Sequence, residues 1–306
     1  PARLNLLGRS LLAVTGWSPV RKLFTDTTAG KGLSHRFVAG ETLDEAATVA
    51  AELNAAGAQV SLDFLGELVG DPTASFEARD AYLACLERIG SDGLDANISV
   101  KLTHLGLGFD ESLATDLLAN LAERALDIGT TITVDMEESA FTESTISVYE
   151  AVQPSVGNLG IAVQAYLYRT RPDLDRIIPL GGHVRLCKGA YAEPEDVAYP
   201  SRARVDTAFD DLSKRLMGEP GVLPAIATHD QPRIEHVREL GANRSAPWEF
   251  QMLYGVRREV QAQLIEDGYS LRIYLPYGSA WYPYLTRRVA ERPANLAFLL
   301  RAAAGK

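Results

Sequence analysis

The feature that most constrains the fold is a regular alternation of short apolar segments with segments of helical periodicity. The apolar segments cover residues 59–65, 97–105, 130–136, 160–168, 183–191, 222–229, 248–254 and 270–277. Helices are predicted between them, for example over residues 78–89, 111–126, 202–216 and 232–240. A strand followed by a helix, repeated eight times, fits a closed (βα)₈ barrel better than a doubly wound sheet. We therefore predict an α/β protein built as one TIM-type barrel.

No linker or repeat divides the chain, so we predict one domain, with an N-terminal helical segment at residues 1–56 packed on a barrel at 57–306. A helix over residues 41–54 is expected to close the bottom or side of the barrel. The segment Leu4 to Phe24 mixes apolar residues with three cationic ones and is predicted to be a docking helix. A degenerate signal or a surface-lying helix is the alternative.

Charge and cysteine content exclude several classes of function. The formal net charge of −10 opposes attraction to phosphate backbones, so no nucleic-acid partner is expected. Cys85 and Cys187 are far apart and lack metal-ligand spacing, which predicts neither a disulfide nor a metal site and favours a reducing, cytoplasmic location. Charges interrupt every apolar run that could span a bilayer. Peripheral membrane contact stays open.

Polar side chains recur in or at the ends of the predicted strands, although strands of a parallel barrel are normally apolar. The carboxyl ends of these strands converge on one pocket, so we predict that the polar residues face a common ligand. Buried ion pairs, such as Lys101 with Asp135, are the alternative for any one of them. Because side chains alternate along a strand, Arg185 and Lys188 cannot both point inward, and one must lie at the rim. The set is Asp63, Lys101, Asp135, Gln164, Arg185, Lys188, His229 and Glu249.

A second feature, the Tyr-Arg-Arg-Glu stripe, lies in the last predicted helix and consists of Tyr284, Arg287, Arg288 and Glu291. Their spacing places them on one helical face. Paired guanidinium groups match a carboxylate, and Glu291 can position one of them. Taken alone, the stripe is more typical of a salt-bridged surface. The aromatic residues at 274–282 shift this interpretation toward a small pocket for an apolar ring bearing an acid.

Three segments resemble motifs of the proline dehydrogenase family in its single-function bacterial form: RLCKGAY at residues 185–191, ATHD at 227–230 and YLTRRVAE at 284–291. Shorter matches lie at residues 65–67, 100–102, 135–138 and 164–166, in the order expected for the family. The resemblance implies a barrel that binds FAD non-covalently without a Rossmann fold. Such an enzyme oxidises L-proline to Δ1-pyrroline-5-carboxylate, the first step of proline catabolism to glutamate, and passes electrons to a quinone. A separate pyrroline-5-carboxylate (glutamate semialdehyde) dehydrogenase would then oxidise the product.

The resemblance also implies roles for residues that meet the substrate. Lys101, Asp135 and Arg185 would be catalytic, with Asp135 positioning Lys101. Arg287 and Arg288 would bind the proline carboxylate, with Glu291 as a positioning residue, and Glu67 would pair with Arg287 as a gate over bound proline. The substrate-binding set implied in this way is Lys101, Leu186, Tyr191, Tyr274, Tyr284, Arg287 and Arg288.

A second set would hold the cofactor. Gln164 would bond the pyrimidine edge of the flavin, Arg185 would lie near its reactive nitrogen, and Lys188 with Arg202 would neutralise the pyrophosphate. Arg204 is a rival of Arg202 for this last role. The cofactor-binding set is Gln164, Arg185, Lys188, Gly189, Ala190, Arg202, Thr228 and His229.

Hydride removal from the carbon beside an amine requires the amine to be neutral. The cations of the predicted site disfavour a second positive charge there. Tyr274 favours proline over hydroxyproline, because a phenol would crowd a ring hydroxyl. Two alternatives stay open: a Schiff-base aldolase that uses Lys101 or Lys188, and a barrel that binds acids without turnover.

Overall fold

The computed structural model describes residues 36–290, without the side chains of residues 286–290. Eight parallel strands pair with their neighbours in chain order, and β8 pairs with β1, so the predicted closed barrel is confirmed. The strands are β1 Gln59–Phe64, β2 Ala96–Val100, β3 Ile132–Val134, β4 Leu159–Gln164, β5 His183–Cys187, β6 Leu223–Ala227, β7 Glu249–Leu253 and β8 Leu271–Tyr277.

Helices connect the strands on the outside of the barrel. Within the described residues they are α1 Leu43–Ala55, α2 Pro72–Asp92, α3 Glu111–Asp127, α4 Ser139–Val156, α5 Thr170–Ile177, α6 Arg202–Gly218, α7 Gln231–Gly241, α8 Arg258–Glu266 and α9 Trp281–Ala290. Local sequence fixes their ends. Helix α1 begins with a capping box between Thr42 and Glu45, and α2 begins with the side chain of Asp71 and ends at Gly93, whose backbone is left-handed.

The first and last described helices occupy unusual places. Helix α1 packs against β1 and β8 through small buried side chains such as Ala46 and Ala50. It therefore covers the side of the barrel, one of the two places predicted for it. In α9, Trp281 and Leu285 pack with Leu65 and Val256, which follow β1 and β7, and with Phe37 and Val38. Helix α9 thus lies over the carboxyl end of the barrel, where the polar residues were predicted to converge.

Several strands end earlier than their apolar segments. Strand β2 stops at Val100, and residues Leu102–Leu105 form a short 3₁₀ helix whose side chains are all buried. Strand β4 stops at Gln164, and Tyr166 and Leu167 pack into a small cluster beside the barrel. The apolar pattern continues past the strands because these loops fold back over the barrel end and bury their own side chains.

No helix in the described part of the chain is long and apolar enough to cross a membrane. The proposed division at residues 56 and 57 stays a prediction, because the segment Leu4 to Phe24 lies outside the described residues.

Candidate active site

Asp135, the residue after β3, is the centre of a polar floor at the carboxyl end of the barrel. Its Oδ1 accepts a hydrogen bond from Arg185 Nη1, and its Oδ2 accepts one from the hydroxyl of Tyr274 at 2.7 Å. Lys101 Nζ lies 3.9 Å from the same Oδ2. The pKa of Tyr274 is raised well above its usual value, first by burial and then by the neighbouring carboxylate. Tyr274 is therefore a neutral phenol that donates to Asp135.

Arg185 lies across this floor and is almost completely buried. Besides Asp135, it donates from Nε to Gln251 Oε1 at 2.6 Å and from Nη2 to Ser99 Oγ at 2.9 Å and Ser61 Oγ at 3.3 Å. A buried guanidinium group is costly unless its donors are satisfied, and these partners come from four different strands or strand ends. The guanidinium group is therefore held in one orientation at the base of the site.

Lys101 follows β2 and forms a closer ion pair than the predicted one. Its Nζ lies 2.7 Å from Oδ1 of Asp63, a residue of β1 that is 1% exposed, whereas Asp135 is more distant. Burial by itself would lower the pKa of Lys101, but the carboxylates of Asp63 and Asp135 outweigh it, and the pKa lies above its ordinary value. Lys101 is consequently an ammonium ion.

The polar interior continues toward the amino end of the barrel. Gln251 Nε2 donates to Glu249 Oε1 at 2.6 Å, and Arg272 donates to both oxygens of Glu249 at 2.9 and 3.2 Å. Glu249 is the first residue of β7 and lies outside the cavity lining. The prediction that Glu249 faces the common ligand is therefore wrong, because Glu249 neutralises Arg272 inside the barrel and supports Gln251 from below.

A cavity of about 920 Å³ opens above the floor at the carboxyl end of the barrel. Seven of the eight predicted polar strand residues line it, all except Glu249. It is further lined by the predicted residues Glu67, Gly189, Ala190, Tyr191, Arg202, Thr228, Tyr274 and Tyr284. A volume near the upper end of the range for ligand pockets suits a large cofactor together with a small substrate.

One rim of the cavity carries a balanced cluster of charges after β5 and β6. Lys188 pairs with Asp206 and, at 2.6 Å, with Asp230. Arg202, whose side chain is 66% exposed, lies 3.8 Å from Asp206 and 3.6 Å from Asp230. Side-chain alternation predicted that either Arg185 or Lys188 lies at the rim. Lys188 is that residue, because it follows the end of β5. Of the two rival arginines, Arg202 lines the cavity and Arg204 does not.

Leu186 is a predicted substrate residue that the structure does not bring to the cavity. It is fully buried in the main core and is absent from the lining. Its neighbours Arg185 and Cys187 both line the cavity, and alternation along β5 turns the side chain between them toward the opposite face. The assignment of Leu186 to the proline ring is therefore corrected: this side chain packs the barrel wall.

The Tyr-Arg-Arg-Glu stripe is described only in part. Tyr284 lines the cavity from α9, which agrees with its predicted place. The side chains of Arg287 and Arg288, and the whole of Glu291, lie outside the described residues. Their roles stay predictions.

Three residues that bond Arg185 were missed as site residues: Ser61, Ser99 and Gln251. Asp63 was in the predicted polar set, but its pairing with Lys101 was missed. A signal for them was present in the sequence. Ser61 and Asp63, and likewise Glu249 and Gln251, occur two residues apart, so both members of each pair face the same side of their strand. Repeated polar residues at that spacing indicate an inward-facing polar layer.

Comparisons with known proteins give the same family as the motifs. The model of the family described as "Proline dehydrogenase" matches residues 46–301. Proline dehydrogenase 1 of Bacillus subtilis subsp. natto is 38% identical over 271 residues, which cover 88% of this chain and 89% of that protein. Proline dehydrogenase of Deinococcus radiodurans is 36% identical over 278 residues, which cover 88% of this chain and 89% of that protein.

A solved structure shows the same fold in a larger protein. The crystal structure of proline utilization A (PutA) from Bdellovibrio bacteriovorus, inactivated by N-propargylglycine, superposes with a TM-score of 0.79 at 23% identity. The match covers 90% of this chain and 34% of the PutA chain. From the family model and the identity with curated relatives, the chain belongs to the proline dehydrogenase family.

Proposed function

We propose that the protein oxidises L-proline to Δ1-pyrroline-5-carboxylate, with FAD as the hydride acceptor and a quinone as the final electron acceptor. The observation that carries the proposal is that four residues implied by the family resemblance, Lys101, Asp135, Arg185 and Tyr274, form one floor of ion pairs and hydrogen bonds beneath a large cavity. Proline dehydrogenases are flavin enzymes, and the product would pass to a separate pyrroline-5-carboxylate dehydrogenase.

The cavity residues fit a bound FAD. Gly189, at the rim, has φ of +110°, and a Cβ there would lie 2.2 Å from the ring of Tyr166. The missing side chain therefore lets the rim backbone pack directly against Tyr166, in a conformation that glycine adopts without strain. Gln164, Thr228 and His229 line the cavity with groups that can bond the polar edges of a flavin.

The pyrophosphate would be held at the rim by Arg202 and Lys188. Because Asp206 and Asp230 already neutralise Lys188, we assign the larger share to Arg202, whose ion pairs are longer and whose side chain is more exposed. When bound, FAD supplies a two-electron acceptor, and the remaining chemistry belongs to side chains of this chain.

The floor orients the substrate and selects its charge state. The cations Lys101 and Arg185 are balanced by Asp63 and Asp135, so the floor is close to neutral. The sequence-based argument that excess cations repel a protonated amine therefore does not apply to these four residues. Burial next to a charge-balanced floor disfavours an ammonium ion in its own right, and the phenol of Tyr274 lies against the site as a wall.

The carboxylate of proline is assigned to Arg287 and Arg288 of α9, with Glu291 as their positioning partner, and the ring to Tyr191, Tyr274 and Tyr284. Three of these residues support the assignment by lining the cavity: Tyr191, Tyr274 and Tyr284. Fixing the acid group would hold the reacting carbon close to the acceptor, which lowers the entropic cost of the reaction.

The ionisation of Lys101 argues against this residue as the Schiff-base lysine of the aldolase alternative, which named Lys101 or Lys188. A Schiff-base lysine must present a neutral amine. Lys101 is paired with Asp63 and has a raised pKa, which keeps it protonated. A barrel that only binds acids would not convert L-proline to product, so turnover distinguishes it from the proposed enzyme.

Anaerobic spectroscopy tests the proposal. The purified protein, reconstituted with FAD, is expected to show a flavin spectrum that L-proline bleaches and a soluble quinone restores. Hydroxyproline in a parallel titration tests the selectivity assigned to Tyr274. A flavin spectrum that L-proline leaves unchanged, or a protein that retains no flavin, would reject the proposed function.

A gate formed by Glu67 is part of the proposal. Glu67 lines the cavity, and by resemblance it pairs with Arg287 when proline is bound. The change Glu67→Ala is expected to raise the KM for proline without changing flavin content, since the residue holds substrate rather than cofactor. Glu77→Ala, on the exposed face of α2, is the control. Unchanged proline kinetics in E67A would exclude the gate.

A further inference from the structure

The segment that carries Glu67 is held in place by residues outside the cavity. This segment, the β1 loop, comprises residues 65–71 and connects β1 to α2. Two of its backbone amides donate to Thr103: Leu68 N to the hydroxyl oxygen at 3.2 Å and Val69 N to the carbonyl oxygen at 3.2 Å. Thr103 lies in the 3₁₀ helix after β2 and is fully buried. The two residues that follow Glu67 are therefore anchored to a single buried residue.

Thr103 is itself fixed by Glu137, which follows β3. The carboxylate of Glu137 accepts from Thr103 N at 3.1 Å and from Thr103 Oγ1 at 2.5 Å. Glu137 is 4% exposed and does not line the cavity. Because the hydroxyl donates to Glu137, its lone pairs are directed to accept from Leu68 N. The carboxylate thus sets the direction of the bond that holds the β1 loop.

The same 3₁₀ helix confines the other side of Glu67. A Cβ on Gly66 would lie 2.1 Å from the imidazole of His104, so the backbone at Gly66 is in direct contact with that ring. The ring is in turn stacked on Phe64, with centroids 5.6 Å apart, and bonded to the hydroxyl of Tyr82 at 3.2 Å. Contacts before and after Glu67 therefore converge on residues 103 and 104.

The backbone at Leu68 shows why an anchor is needed. Leu68 has φ of +52°, a left-handed conformation that is unfavourable for a residue with a side chain, and its side chain is 59% exposed. Burial of Leu68 therefore does not offset the conformational cost, and the bond from its amide to Thr103 does. Loss of this bond is expected to release the turn and, with it, the adjacent Glu67.

We propose that Thr103 and Glu137 are positioning residues for proline capture, acting through the β1 loop to hold Glu67 at the cavity. This inference rests on the proposed function, in which Glu67 pairs with Arg287 when proline is bound. Neither residue touches the cavity, so their effect is on the placement of Glu67 and not on the chemical step.

The matched variants are Thr103→Val and Thr103→Ser. Valine keeps the shape but removes the hydroxyl that accepts from Leu68 N, whereas serine keeps the hydroxyl. T103V is expected to raise the Kd for proline about three- to tenfold, which is the range for one buried hydrogen bond. The flavin-reduction rate at saturating proline is expected to stay within about twofold of the parent's rate. T103S is expected to match the parent. Glu137→Gln, which retains one of two acceptor oxygens, should give a smaller shift of the same sign.

A double-mutant cycle separates positioning from general damage. In the E67A background, T103V is expected to change the proline Kd by less than about twofold, because the residue that it positions is already gone. Effects of E67A and T103V that multiply independently would overturn the proposal, as would a T103V protein with the proline Kd of the parent. If T103V does not fold, the same cycle is run with E137Q, with the same two overturning results.

Hydrogen exchange provides a readout that does not depend on catalysis. In substrate-free protein, a peptide covering residues 65–71 is expected to exchange faster in T103V than in T103S. Equal exchange in the two variants would overturn the proposed anchor. Failure of the proposed function would appear separately, as a parent protein that does not reduce flavin with proline although the exchange difference is present.

Discussion

The ion pair between Lys101 and Asp63 gives the most informative test of the floor. At an effective dielectric constant of 20, a separation of 2.7 Å corresponds to ~6 kcal/mol and one of 3.9 Å to ~4 kcal/mol. Asp63 therefore supplies the larger share of the attraction on Lys101, although desolvation offsets part of both terms. Asp135 must also satisfy Arg185 and Tyr274, so it is a poor substitute.

The change Asp63→Asn removes one charge and keeps the size of the side chain. Breaking a buried ion pair on one side costs about 3–5 kcal/mol. Because the asparagine oxygen can still accept from Lys101 and Asp135 stays nearby, we expect a loss near the lower end, about 3 kcal/mol. For a domain of this size that corresponds to a fall in Tm of roughly 6 °C. Urea unfolding of the flavin-free protein, followed by tryptophan fluorescence, measures the free-energy difference.

Asp80→Asn is the control for this experiment. Asp80 also pairs with a cation, Arg79, at 2.6 Å, but its side chain is 63% exposed, and such surface pairs contribute about 0–1 kcal/mol. We expect D80N to unfold at nearly the same urea concentration as the parent. A D63N protein that is no less stable than D80N would refute the assignment of Asp63 as the principal partner of Lys101.

Two further predictions concern the cofactor rim and pH. Arg202→Ala is expected to raise the Kd for FAD about tenfold, while Arg204→Ala changes it little, because Arg202 lines the cavity and Arg204 does not. Fluorescence titration of the flavin-free protein with FAD measures both values. Equal effects of the two substitutions would contradict the assignment. The pKa of buried His183 is lowered to about 3 by burial and then by nearby arginines, so the unfolded chain binds a proton at a pH where the folded protein does not. Stability is therefore lost as pH falls below about 6.5, and this residue contributes a loss of about 2 kcal/mol at pH 5. In urea unfolding, the free energy of unfolding should depend less on pH in His183→Gln than in the parent, whereas the control His236→Gln should behave like the parent. The same pH dependence in H183Q and the parent would contradict this assignment.

The number, order and type of the barrel elements could be predicted from sequence because each strand is a compact apolar segment set apart by turn residues. Strand ends could not. Lys101 was placed inside a long predicted strand, whereas β2 ends one residue before it and the apolar Leu102 belongs to a 3₁₀ helix. Apolar residues in a loop that folds over the barrel give the same local pattern as a strand, and only the tertiary structure distinguishes them.

Individual partners were also beyond the sequence, for a different reason. Lys101 has two carboxylates within 4.0 Å, and their ranking depends on which strand ends come closest at the carboxyl end of the barrel. Parallel pairing places Asp63 of β1 opposite Ser99 of β2, two residues before Lys101. Register of this kind is set by the packing of all eight strands and cannot be obtained from one segment.

The incorrect placement of Leu186 shows that side-chain alternation along a strand constrains the site more strongly than a family motif does. Arg185 was correctly expected to face the pocket, and a side chain next to it in the same strand must then face the other way. The rule is weaker between Arg185 and Lys188, because β5 ends at Cys187, than between adjacent residues within β5. A family motif identifies which segment belongs to the site, whereas strand parity decides which of its side chains can reach the ligand.

The same parity rule explains why this barrel has a polar interior at all. Inward-facing polar residues recur two apart in several strands, so the charges of Arg185 and Arg272 are each matched within the barrel, by Asp135 and Glu249. Gln251 bridges the two pairs. An apolar interior would leave most of the five donors of the Arg185 guanidinium group unsatisfied, since only one of its contacts is the carboxylate at the cavity floor. The layer below the site is thus part of the site, because it fixes the direction in which the floor residues point.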